Sequence, residues 1–236
     1  MPLTIPTHPI AVVPLKMWRP RWFDGVALVI GATAPDISYA TYGFGVSLHT
    51  HNLLALIWWG VPVTVVLTRP VRWAAPAIAA HLPGLRDFGV LGTVRHRWYV
   101  TVVSALIGAF SHLAWDWVTH PGYLPSLSHE VLPGMPWWGL LSDASNLAGF
   151  VAGTILVLLL GRAGLLREWH GPPPAVVPRP AIFWSVVAGT AGCGVAAVLL
   201  HPVDWFAGQA VRLMLIAGLA LLFGAAATRT KELISN

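Results

Sequence analysis

The sequence predicts an all-α, polytopic transmembrane bundle of about six spans, one of them broken or re-entrant. Three observations carry that prediction. The 236 residues are 56% apolar and only 10% charged, whereas soluble domains carry about 45–50% and about 25%. Apolar runs approaching the roughly 20 residues needed to cross a hydrocarbon core recur at 23–41, 51–68, 98–120, 137–161, 181–200 and 207–228. Of the 14 Lys and Arg residues, all but Arg212 fall in alternate connections between these runs.

The first run is interrupted by Gly25, Gly31, Pro35 and Asp36. It reads as a short, broken or re-entrant helix, because proline removes a backbone donor and clashes with the preceding turn. The other five read as full spans. Lys16, Arg19 and Arg21 precede the first run. Arg69, Arg72, Arg86, Arg95 and Arg97 follow the second, Arg162, Arg167 and Arg179 follow the fourth, and Arg229 and Lys231 follow the sixth. The connections at 42–50, 121–136 and 201–206 have no Lys or Arg. The positive-inside rule then places both termini in the cytoplasm of a multi-pass protein of the inner (plasma) membrane.

One integral membrane domain, 1–236, is expected. It begins with an amino-terminal segment, 1–22, and has cytoplasmic loops at 69–97 and 162–180. Both loops are proline-rich (Pro70, Pro76 and Pro83; Pro172, Pro173, Pro174, Pro178 and Pro180) and read as connectors without a fold of their own. The first twenty residues lack a cleavable signal pattern, so insertion is expected to rely on the internal runs. The net charge of +5 comes from scattered arginines rather than a phosphate-tracking patch, which excludes a nucleic-acid partner. Cys193, the one cysteine, reads as a small packing residue.

Ionisable groups at membrane depth are costly and point to function. Asp36, Asp116 and Asp143 fall toward the outer ends of their runs, with His49, His51, His112, His120, His129 and His201 in the same half. His112, Asp116 and His120 recur every four residues, hence on one helical face, with the two histidines about 12 Å apart along the axis. One ion cannot take both. The spacing fits one metal held by a His–Asp pair, two metals bridged by Asp116, or a hydrogen-bonded polar seam between helices.

A second constellation is Pro35-Asp36 followed by His49 and His51. Proline presents the carboxylate at a turn, and either histidine can face it, although His51 sits beside Thr50 and Asn52 where a helix cap is expected. His8 precedes the first run and reaches this cluster only if that run is re-entrant. His81, His96 and His170 fall in the basic loops and read as solvated. Among the 13 tryptophans, Trp58, Trp115 and Trp117 are candidates to line an apolar substrate cavity, with helix packing as the alternative. The rest near run ends suit an aromatic belt.

Three stretches together carry a resemblance: Met1-Pro2-Leu3-Thr4 with Thr7-His8-Pro9; Gly31-Ala32-Thr33-Ala34-Pro35-Asp36; and Ser111-His112 through Asp116 to Thr119-His120. Over most of 1–160 the chain resembles an uncharacterised bacterial family of small integral membrane proteins. That family is distantly similar to membrane-bound predicted metal-dependent hydrolases. The resemblance implies His8, Asp36, His49, His112 and Asp116 as the polar positions matching the family's motifs, and these are the candidate metal ligands, metal dependence being itself a family-level prediction. Relatives carry one loop histidine where this chain has His49 and His51.

The leading expectation is a metal-dependent hydrolase acting on a lipid-like or phosphoester substrate at the outer leaflet. Its cofactor is a divalent metal, zinc first, with magnesium, manganese or iron as alternatives. The ion lowers the pKa of a bound water to about 7, and Asp143 or His120 serves as general base. Expected partners are membrane lipid and an apolar or amphipathic small-molecule substrate. A second expectation is an isoprenoid- or lipid-modifying cyclase or transferase. It would use an Asp acid or magnesium in a tryptophan-lined cavity. A third is a transporter or scaffold without catalysis.

Overall fold

Lipid-facing helices must satisfy their own backbone, and the long apolar runs do so. The computed structural model describes residues 7–229; the Met1–Thr4 piece of the resemblance and Lys231 lie outside them. Helices run over Thr7–Trp18 (α1), Gly25–Gly31 (α2), Ala34–Ile37 (α3), Val61–Ala80 (α4), Trp98–Thr119 (α5), Trp137–Arg162 (α6), Leu165–His170 (α7), Pro180–Leu200 (α8) and Phe206–Thr228 (α9). Among the described residues four helices, α5, α6, α8 and α9, are long and apolar enough to cross a membrane. They coincide almost residue for residue with the last four runs of the sequence.

The first two runs take other forms. The first is divided into α2, α3 and a 3-10 turn, Ser38–Thr41. Asp24 opens α2: its Oδ1 accepts from the Ala27 amide at 3.2 Å, the N-cap bond that satisfies an orphaned donor. Pro35 stands in the first turn of α3, where its missing N–H costs nothing. The second run starts late, as a π-helical turn, Leu56–Gly60. It then continues through Pro70 and Pro76 to Ala80, so residues 69–80 are helical rather than loop. A small antiparallel hairpin, Glu130–Leu132 (β1) with Met135–Pro136 (β2), lies in the connection after α5, a departure from an all-α chain.

Two compact units make up the chain: residues through Thr68 with His96–Val157, and Arg69–Arg95 with residues from Leu158 on. In the first, α2 lies against α5 at a close crossing. A methyl added to Gly31 would stand 2.6 Å from the Ala105 carbonyl oxygen, and one on Gly108 would overlap the Leu28 carbonyl. Only glycine lets the backbones approach so near. Asp24 joins the same crossing, its amide donating to Ser104 Oγ (2.9 Å) and its Oδ2 accepting from Thr101 Oγ1 (2.7 Å). Val12, Leu28 and Ala32 form one apolar cluster here, and Leu56, Ala109 and Leu113 another.

In the second unit α8 packs on α9, and the segments expected to be featureless loops are structured. Arg167 on α7 donates to Asp87 Oδ1 at 2.6 Å, and that carboxylate raises the guanidinium pKa above its ordinary value. His81, expected to be solvated, is buried. Its Nδ1 meets the Ala77 carbonyl at 2.7 Å, its Nε2 accepts the Arg179 amide at 2.8 Å, and its ring stacks on Phe183. Cys193 is exposed on α8 rather than packed.

Candidate metal centre

The end of α2 leaves carbonyls without helical partners, as every helix C-terminus does. Side chains from distant elements use them. His112 on α5 has Nδ1 2.8 Å from the Ala32 carbonyl. Trp59 on the π-helical turn donates from Nε1 to the Ala34 carbonyl at 2.8 Å. The Pro35 carbonyl accepts from both Ser38 Oγ (2.8 Å) and Thr50 Oγ1 (2.9 Å). The break that sequence reading locates at Gly31–Pro35 thus becomes the frame of a polar site.

Six side chains converge on that frame. His112 Nε2 lies 3.2 Å from Asp116 Oδ2, 3.5 Å from Asp36 Oδ1 and 3.3 Å from His51 Nε2. His51 Nε2 lies 3.2 Å from Asp36 Oδ1 and 3.6 Å from Asp116 Oδ2. On its other side, Asp116 Oδ1 lies 3.5 Å from His8 Nε2 and 3.3 Å from His120 Nδ1. The His8 ring stacks on that of His112 with centroids 3.8 Å apart, so α1 enters the cluster despite preceding the first run. His8, Asp36, His112 and Asp116 are all buried.

Hydrogen-bond partners assign the tautomers. With Ala32 accepting at His112 Nδ1, a proton sits on Nδ1 and Nε2 is the nitrogen that points into the cluster. Thr50 Oγ1 gives its own hydrogen to Pro35 and lies 3.3 Å from His51 Nδ1, which likewise leaves His51 Nε2 as the nitrogen facing inward. Carbonyl or hydroxyl partners that fix the far nitrogen are the usual support of metal-ligating histidines. His81 differs in that its Nε2 receives a backbone N–H and has no carboxylate beside it among the described contacts.

The four atoms His51 Nε2, His112 Nε2, Asp36 Oδ1 and Asp116 Oδ2 have five interatomic distances between 3.2 and 3.6 Å. Zinc bonds of about 2.0–2.1 Å to nitrogen and oxygen, arranged tetrahedrally, set ligand atoms about 3.3–3.4 Å apart. His8, Asp36 and His112, and again His51, His112 and Asp116, are groups whose ligand atoms lie within 4.8 Å of one another. The residues present therefore fit a divalent ion.

Of the residues singled out by sequence, His8, Asp36, His112, Asp116 and His120 come together. His49 does not: it is exposed, and its carbonyl accepts from Asn52 Nδ2 at 2.7 Å. His51 takes the position instead, and it is Asn52 that caps the following turn, through Oδ1 to the Ala55 amide. Asp143, expected as a base, is exposed on α6. It lies two residues, hence about 200° around the helix, from Ser145, which faces α1 and accepts from Trp115 Nε1 at 2.8 Å.

The three candidate cavity tryptophans have different surroundings. Trp115 is tied to Ser145, while Trp58 and Trp117 are exposed at 46% and 36%. Sequence reading missed Tyr39, whose ring stacks on His51 and whose hydroxyl lies 3.0 Å from its Nε2. The Pro-Asp-x-Ser-Tyr run was the available signal. It also missed Asp24 as a buried cap, although an Asp before a glycine-led apolar run is a helix-start pattern.

Mostly helical, with four membrane-length apolar helices and a buried histidine–aspartate cluster framed by a broken helix, the chain has the make-up of a membrane protein with a polar centre. It belongs to the family described as Domain of unknown function (DUF4184), whose model matches residues 1–228. The match extends through the carboxy-terminal third, where the sequence resemblance rested on hydrophobicity alone. No curated protein and no solved structure matches the chain.

Proposed function

We propose that this protein is a membrane-embedded, metal-dependent hydrolase whose ion is held by His51, His112, Asp36 and Asp116. The observation that carries the reading is the convergence of two imidazole nitrogens and two carboxylate oxygens at 3.2–3.6 Å. Four such atoms at that spacing repel one another unless imidazole protons or a metal cation lie among them, and the near-equal spacing suits a single central ion.

When bound, a divalent ion supplies an acidified water and polarises a scissile ester or phosphoryl group. The chain's own residues do the holding and orienting. Ala32 and Thr50 fix the two imidazoles, and Trp59 pins the Ala34 carbonyl beside Asp36. The similarity to predicted metal-dependent hydrolases read from the sequence points the same way, and nitrogen plus carboxylate donors favour zinc over magnesium. The charge asymmetry puts the centre toward the outer leaflet with both termini cytoplasmic. A substrate with a lipid-like part then reaches it from the membrane, and a fully water-soluble one does not.

The test is metal analysis of protein purified in detergent, beside hydrolysis of a detergent-solubilised phospholipid and of a water-soluble nitrophenyl phosphate. Stoichiometric zinc and chelator-sensitive turnover of the lipid support the reading. Absence of bound metal, or turnover indifferent to chelation, overturns it.

A further inference from the structure

We propose that the centre holds two divalent ions bridged by Asp116, the second bound by Asp116 Oδ1, His8 Nε2 and His120 Nδ1. This rests on reading the cluster as a metal centre. Asp116 presents its two oxygens to different pairs of imidazoles. Oδ2 faces His51 and His112, and Oδ1 faces His8 at 3.5 Å and His120 at 3.3 Å. Those two distances again match the edges of a tetrahedral ligand set (about 3.3–3.4 Å).

The second side differs from a hydrogen-bonded seam in one respect. Asp116 Oδ1 is buried, yet no described residue donates a hydrogen bond to it, despite two imidazole nitrogens within 3.5 Å. A buried carboxylate oxygen without a donor is costly, and an ion removes the cost. Thr119 Oγ1 approaches His120 Nδ1 at 3.1 Å, but its hydrogen is directed to the Trp115 carbonyl at 2.9 Å. With no ion bound, that hydroxyl oxygen accepts from His120 Nδ1, and a metal takes the place of this proton, as ligand binding by histidine requires.

Helix geometry explains the residue spacing. His112 and His120 are too far apart on α5 for one ion, but each is one turn from Asp116 and meets a different oxygen of it. A carboxylate bridging in this way holds two ions about 3.5–4 Å apart, the separation of two-metal hydrolytic sites. His120, 19% exposed at the side chain, is the most exposed of the six side chains. Its role is then that of a ligand and not a general base.

The experiment uses the full chain in detergent, stripped with chelator and titrated with Mn²⁺ alone. Bound manganese is counted after desalting, and its electron paramagnetic resonance is recorded. Two ions per chain with an exchange-coupled spectrum are expected for the parent. His120→Ala and His120→Gln should each retain one ion, with the uncoupled pattern of isolated Mn²⁺ and an apo Tm close to the parent's. A parent that binds one ion, or a variant that keeps two, overturns the second site and leaves the single-ion reading standing. A parent that binds none overturns both.

Discussion

His112 Nδ1 lies 2.8 Å from the carbonyl oxygen of Ala32, so the last turn of a short broken helix sets which nitrogen of a spanning-helix histidine carries the proton. That bond turns Nε2 toward Asp36, Asp116 and His51. It also makes the crossing of α2 and α5 part of the site, because any displacement of Ala32 releases the imidazole.

Asp116→Asn keeps the shape and hydrogen bonding of the side chain while removing its charge. Bound metal is expected to fall to background, and activity with it, while Tm stays within about 4 °C, the shift that roughly 1 kcal/mol produces in a chain of this size. His112→Ala should lose metal in the same way. Metal content measured beside Tm decides the matter: an asparagine variant with full metal and full activity removes Asp116 from the ligand set.

The two loop histidines should separate cleanly. His51→Ala removes a nitrogen facing Asp36 and Asp116 and should weaken zinc binding by at least about 100-fold, more than the loss of an outer-shell partner. His49 is exposed, and His49→Ala should leave zinc affinity within about twofold. Competition titrations against a fluorescent chelator read both. Equal losses in the two variants would contradict the assignment.

Thr50 is buried, donates to the Pro35 carbonyl and stands beside His51 Nδ1. Thr50→Val keeps the volume but removes the group that fixes the His51 tautomer. Metal affinity should drop about 10–100-fold, as for other outer-shell partners, and Thr50→Ser should restore most of it. If valine and serine bind metal equally well, the hydroxyl has no orienting role.

Gly108→Ala tests the link between packing and site. The added methyl overlaps the Leu28 carbonyl and comes 2.8 Å from the Ala32 amide, so α2 must move. Overpacking of this kind costs about 1–3 kcal/mol, seen as a Tm lowered by several degrees, with metal affinity falling because Ala32 moves too. Gly189 has open space around it and serves as the control, where alanine should leave metal affinity unchanged and not lower Tm.

Orientation is tested with reporter tags. Fusions within 80–90 and at the carboxy terminus should read as cytoplasmic, and one at 125–130 as external. A cytoplasmic signal at 125–130 would reverse both the orientation and the outward-facing site.

Length and apolarity by themselves marked α5, α6, α8 and α9, because a lipid-facing helix must be long and apolar whatever its neighbours are. Pro35 and Gly31 likewise announced the break between α2 and α3 through backbone sterics alone. Four-residue spacing placed His112, Asp116 and His120 on one face, since helical period is a local property. The choice of His51 over His49 was not legible. Both lie at a loop–helix junction with the same local chemistry, and only the packing of α3 and the π-helical turn against α5 decides which ring is buried.

The entry of His8, the outward turn of Asp143, the exposure of Trp58 and Trp117, and the ordered 69–97 and 162–180 segments were decided in the same way. Each depends on contacts between residues far apart in the chain, made by helices whose mutual arrangement no local pattern encodes.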